Sequence, residues 1–181
     1  MIRPVAIRAA FAAAAIAGSA AAIAQLPDLP ARKPGLWETR MTTEQPAGTP
    51  VLTSQMCIDA ATDREMFEFG LKMSKDTCNK FDSRRTGAGW VIDSECTFGP
   101  MKSVSRTTIT GDFRTTMTVR IEGTVDGMGA GPQKTLMTQT ATWKGSCGHL
   151  KPGDITMGKG VKMNVKQLQK LKDMLPNIQI K

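Results

Sequence analysis

The chain has 181 residues, with 24 Lys and Arg against 16 Asp and Glu, a formal charge of +8, four cysteines, one histidine and no tyrosine. The length suits one domain with its own core. The positive balance favours acidic surfaces such as anionic lipid headgroups or envelope polymers, whereas the lack of basic-aromatic interleaving speaks against nucleic acid.

Residues 1–24 read as a secretory signal. Arg3 and Arg8 make a positive start, Ala9 to Ala24 is a small-residue apolar run, and Ala22-Ile23-Ala24 forms an A-x-A site ahead of Gln25. The run is broken by Gly18 and Ser19 and falls short of the ~20 strongly apolar residues of a membrane span. Cleavage after Ala24 gives an expected periplasmic protein with no transmembrane segment. Losing two arginines lowers its formal charge from +8 to +6.

Residues 25–34 hold three prolines and read as an extended leader. A single domain is expected over 35–181. "LWETRMTTE" alternates Trp37, Thr39 and Met41 against Glu38, Arg40 and Thr42, the period of a strand, and "VLTSQMCI" returns as the second arm of a hairpin. Thr62 and Glu65 have the spacing of a capping box, and Met66, Phe67, Gly70, Leu71 and Met73 follow on one face of a helix of about three turns.

Five further strands follow: "CNKFDSRR", "GWVIDSECTF", "KSVSRTTIT", "FRTTMTVRIEG" and "TLMTQTATWKGSC". Clean alternation in the fourth puts Phe113, Thr115, Met117, Val119 and Ile121 inward, the habit of an antiparallel sheet with one wet face. Met137, Ala141 and Trp143 continue that inward face. Gly87 and Gly89 supply one hairpin turn and Gly111-Asp112 the next. The glycine-rich "GHLKPGDITMGKG" reads as a loop. A basic C-terminal helix is predicted over about 164–175, capped by Asn164, with Val165, Leu168, Leu171 and Leu175 on one side and Lys162, Lys166, Lys170 and Lys172 around it. The expected fold is mainly β: a curved antiparallel meander or half-barrel of about seven strands, with a helix after Cys57 and the C-terminal helix.

Cys57, Cys78, Cys96 and Cys147 form an even set in an exported chain, which implies two disulfides. The turn near Ala88 brings Cys78 and Cys96 level on neighbouring strands, so Cys78–Cys96 and Cys57–Cys147 are the favoured pairs. Zinc is the competing use, but there is no C-x-x-C pair and His149 is the only histidine.

Catalytic chemistry finds no foothold. His149 has no evident nucleophile partner, "DGMGAG" lacks the Lys-Ser/Thr of a phosphate loop, and no cofactor or metal site is expected. Eleven methionines follow Met1. They raise copper(I) binding as an alternative, since soft thioethers select soft metals, but filling core gaps is enough to account for them. The leading expectation is a non-enzymatic binding or interaction module. Trp37, Trp90, Met117 and Trp143 would face an apolar or amphipathic ligand in the sheet, and the lysines of the C-terminal helix would meet an anionic envelope partner. An envelope hydrolase is the least supported alternative.

Pro34-Gly35-Leu36-Trp37-Glu38 near the expected mature start, Met56-Cys57, Cys78 and Cys96 about Trp90, Gly111-Asp112, and Trp143 to Cys147 form a set. Together they resemble a proteobacterial family of exported proteins catalogued only as a domain of unknown function, DUF3617. The resemblance covers about Pro34 to Cys147. It implies a mostly β envelope or periplasmic domain and supplies no catalytic residues. The lysine-rich tail lies beyond it.

Overall fold

The computed structural model describes residues 29–127, 129, 131–158 and 160–167. Within them the elements run β1 (Gly35–Gln45), β2 (Leu52–Ile58), α1 (Ala60–Thr77), β3 (Cys78–Thr86), β4 (Gly89–Phe98), β5 (Met101–Gly111), β6 (Thr116–Asp126), β7 (Gln133–Gly145), β8 (Asp154–Met157) and β9 (Val161–Asn164). All nine strands join one antiparallel sheet in the order β3-β4-β5-β6-β7-β1-β2-β8-β9. The mainly β expectation is met. The sheet is open and uncurled rather than a half-barrel, with β3 and β9 as its two edges.

The two strands beyond the expected seven lie in the glycine-rich stretch read as a loop. Four-residue strands set between Gly153, Gly158 and Gly160 carry too little alternation to register as a pattern. Asp154 organises them. It is 4 % exposed and accepts hydrogen bonds from Asn164 Nδ2 (2.9 Å), the Lys151 amide (2.8 Å) and Lys162 Nζ (2.8 Å). These donors, Asn164 first, hold its carboxyl far below the usual aspartate range. A depressed carboxylate stabilises the fold above its unfolded value of about 4 and loses that contribution as pH falls below it. Acidification from pH 5 to pH 2 is therefore expected to open the β8–β9 hairpin, and Asp154→Asn should remove most of that dependence. Hydrogen exchange at the Ile155 and Met163 amides measures it; protection equal at both pH values would contradict the assignment.

The β5–β6 turn also differs from expectation. β5 ends at Gly111 and β6 starts at Thr116, so the connection spans 112–115 and is not a two-residue turn. Asp112 closes it by accepting from the amides of Arg114, Thr115 and Thr116 at 2.7–3.0 Å. Phe113 sits in this turn at φ 57° and is nonetheless 2 % exposed. Its carbonyl accepts from the Lys33 amide at 2.9 Å, which ties the leader to the turn.

Helix α1 starts earlier and runs longer than the capping-box spacing suggested. Its cap is Asp59, whose carboxylate accepts from the Thr62 amide at 2.7 Å, and it spans 18 residues. That makes about 27 Å of helix, and it needs the length: it leaves β2 and touches β3 and β4 near the other side of the sheet. Packing along it is light. Thr62 is its buried residue, Met66 and Phe67 are half-buried, and Phe69, Gly70 and Met73 are exposed.

Two apolar clusters lie on one sheet face. Trp90, Ile92, Ile109 and Phe113 form the first, with Leu29, Phe81, Met117 and Val119 against it. Trp37, Ile58 and Ala141 form the second, with Met56, Met117 and Trp143. The leader thus has no regular structure at 29–34 yet belongs to the fold. Asp63 on α1 holds it, accepting from the Arg32 amide at 2.8 Å and from Arg32 Nε at 2.7 Å.

Of the predicted C-terminal helix, 165–167 are described and helical, and Asn164 Oδ1 accepts from the Lys166 amide at 3.0 Å. Lys170 and Lys172 lie outside the described residues.

Candidate functional site: a methionine-rimmed trough

The inward sheet face is not evenly filled. The register aligns Met117, Ala141, Thr39, Ser54 and Met157 in one row across β6, β7, β1, β2 and β8. Its three central residues are small. The row on one side carries Trp143, Trp37, Met56 and Ile155; the row on the other carries Gln139, Met41 and Leu52. Large side chains flanking a row of small ones leave a trough, here of about 470 Å³. Met66 of α1 and Arg32 of the leader also line it. The hollow comes from side-chain size along one row and needs no curling of the sheet.

Its lining is apolar with few polar groups. Gln139 donates from Nε2 to Met41 Sδ at 3.5 Å, and Arg32 is spent on Asp63. At the β2 and β8 end it opens among exposed apolar side chains: Val51 (43 %), Leu52 (55 %) and Met157 (41 %), with Val161 (57 %) paired to Met157. At the other end Met117 packs against both core clusters.

Of the residues expected to face a ligand, only Met117 lines the trough. Trp37 is fully buried and donates from Nε1 to the Lys33 carbonyl at 2.8 Å. Trp90 belongs to the other cluster, edge-on to Phe113 at 5.4 Å between ring centroids. Trp143 donates to the Pro34 carbonyl at 3.0 Å and lies beneath Lys33 Nζ, 3.4 Å from the ring centroid. These indoles are structural. The residues that shape the trough are the small ones, Thr39, Ser54 and Ala141, and the methionines beside them.

Among the predicted surface lysines, Lys162 is paired with Asp154, and Lys166 reaches Glu65 of α1 at 3.8 Å. Disulfides join Cys57 to Cys147 and Cys78 to Cys96.

A larger hollow of about 770 Å³ lies on the other side of the sheet, but it is open and lined with charge already neutralised. Asp93 accepts from Arg106 Nε at 2.7 Å and Arg84 Nη1 at 2.6 Å, and these guanidiniums, Arg106 first, hold its carboxyl at about 2. Arg120 pairs with Glu122 at 2.6 Å and Lys80 with Glu95 at 3.5 Å. The smaller trough, apolar and enclosed on more sides, has the better features of a small-molecule site. Among the described residues no three His, Cys, Asp or Glu side chains gather as metal ligands, and no helix is long and apolar enough to cross a membrane.

The chain belongs to the DUF3617 family, proteins of unknown function, whose model matches residues 32–147. The match takes in β1 to β7, α1 and both disulfides; the β8–β9 hairpin, which brings Met157 to the trough, follows it. No curated protein and no solved structure matches the chain.

Proposed function

We propose that this protein is an exported, non-enzymatic binding module that holds an apolar or amphipathic molecule in the trough above Thr39. The observation that carries this reading is the row of small residues framed by methionines on an otherwise packed sheet face. Methionine is unbranched and polarizable, so a wall of it adapts to the shape of what it encloses. The register sets Met117 and Met157 at opposite ends of a five-strand row, a spread that favours apolar contact over a gathered thioether site for copper.

Export is supported by the leader sequence and by two disulfides, which persist in oxidising compartments. The mature protein is expected to begin at Gln25. Intact mass of the protein from a periplasmic extract checks this, and a mass that retains residues 1–24 would contradict it.

Native mass spectrometry of that material, before and after exposure to an envelope lipid extract, tests the binding reading. A retained small molecule, or uptake of one per chain, is the expected result. A bare chain in both states would remove it.

A further inference from the structure

The dimensions of the trough narrow the class of ligand. We infer that it takes a single unbranched hydrocarbon chain, an acyl or alkyl tail, with the polar head left in water at the Leu52 and Met157 corner. This rests on the trough being a ligand site. The floor row from Met117 to Met157 crosses four strand spacings, or about 19 Å. Spreading 470 Å³ over that length gives a mean cross-section of about 25 Å². Carbon atoms pack at about 4 Å from their neighbours, so this section admits one extended chain and is tight for a fused ring system.

The lining agrees with the shape. The flanking rows stand one alternate-residue step, about 7 Å, from the floor on each side, and methionines border it at Met41, Met56 and both ends. A tail sliding along the floor meets thioethers and methyl groups throughout, with Gln139 held by Met41. The ends differ as a tail-binding groove requires. Met117 is built into both core clusters, while the Met157 end opens among exposed aliphatic side chains that offer a tail an apolar entry. Among the described residues Arg32 is the charged group in the lining, and its side chain, 14 % exposed, is neutralised by Asp63, so no free charge there selects an ionic head.

Calorimetric titration of the full exported protein with n-alkyl maltosides from octyl to dodecyl, below their micelle concentrations, with pyrene as the fused-ring comparison, tests this. Each added methylene is expected to raise affinity by about three- to fourfold until the trough is filled. Dodecyl maltoside should bind at least tenfold more tightly than pyrene, and Ser54→Leu, which raises the floor, should weaken it at least tenfold. Thr140→Leu, an exposed position on the opposite face, should leave it unchanged and controls for the effect of added bulk on the fold. Affinity indifferent to chain length, or pyrene binding as well as dodecyl maltoside, would overturn the linear-chain inference. If Ser54→Leu then abolished pyrene binding, the trough would stand as a site for another class of molecule. Dodecyl binding unaffected by both Ser54→Leu and Thr39→Leu would place the chain elsewhere and overturn the inference. No binding of any probe would overturn it together with the trough as a site.

Discussion

Trp37→Ala is expected to lower the unfolding free energy by about 3–5 kcal/mol, the cost of emptying a fully buried aromatic site. The size of the effect follows from where the indole stands. On β1 it is opposite Met56 of β2 and Trp143 of β7, and it packs with Ile58 and Ala141 beneath the leader. Its Nε1 also donates to the Lys33 carbonyl, and Arg32 lies 6.0 Å above its ring. The truncation therefore leaves a cavity and releases part of the leader from the sheet. Trp37→Phe keeps most of the packing and loses the hydrogen bond, so about 1–2 kcal/mol is expected there. Urea unfolding of the three proteins checks both values. A Trp37→Ala loss within about 1 kcal/mol of wild type would show that this indole is not the anchor of the core.

The second large effect is at the Cys57–Cys147 bond. Cys57 is fully buried at the end of β2, and Cys147 lies 90 residues away, just after β7. The strands they end on flank β1, where Leu36 pairs with Cys57 on one side and with Gly145 on the other. Closing so long a loop stabilises by about 4–5 kcal/mol in the chain-entropy model. The Cys78–Cys96 bond closes only 18 residues, within the β3–β4 hairpin, and the same model gives it about 3 kcal/mol. The double variant Cys57→Ala/Cys147→Ala is thus expected to melt below Cys78→Ala/Cys96→Ala. The reverse order would mean that the hairpin bond, not the long-range one, limits unfolding.

The seven longer strands were legible because each carries enough alternation to show its period. Trp37, Thr39 and Met41, or Met117, Val119 and Ile121, define an inward face over five residues or more. Gly35 was legible as the start of the first strand, and its environment says why: it has φ 133°, and a Cβ there would collide with the Gly145 carbonyl and the Trp143 indole. By contrast, β8 and β9 have four residues each and take their order from Asp154, a long-range hydrogen-bond centre with no sequence period. The helix start was misplaced because Asp59 and Thr62 both suit a cap. Only the geometry of the Thr62 amide decides between them.

The trough was hidden for a different reason. Ala141, Thr39 and Ser54 come from three strands and look unremarkable in each one. Their alignment exists only once the register of β7, β1 and β2 is fixed, and a slip of one residue would send them to the opposite face. Aromatic residues drew attention in the sequence because they are rare and large. In the fold they fill space, and the space left over belongs to their small neighbours.

Whether the trough is a ligand site is tested most directly by uptake of an apolar ligand by wild type and by Thr39→Leu, followed by native mass spectrometry alongside thermal melting. Thr39 is half-buried at the centre of the floor, so the larger side chain fills the trough and leaves Trp37 and its cluster in place. One bound molecule per wild-type chain is expected, with little or none on Thr39→Leu and similar melting temperatures for the two. Equal uptake by a folded Thr39→Leu protein would contradict the trough as that site.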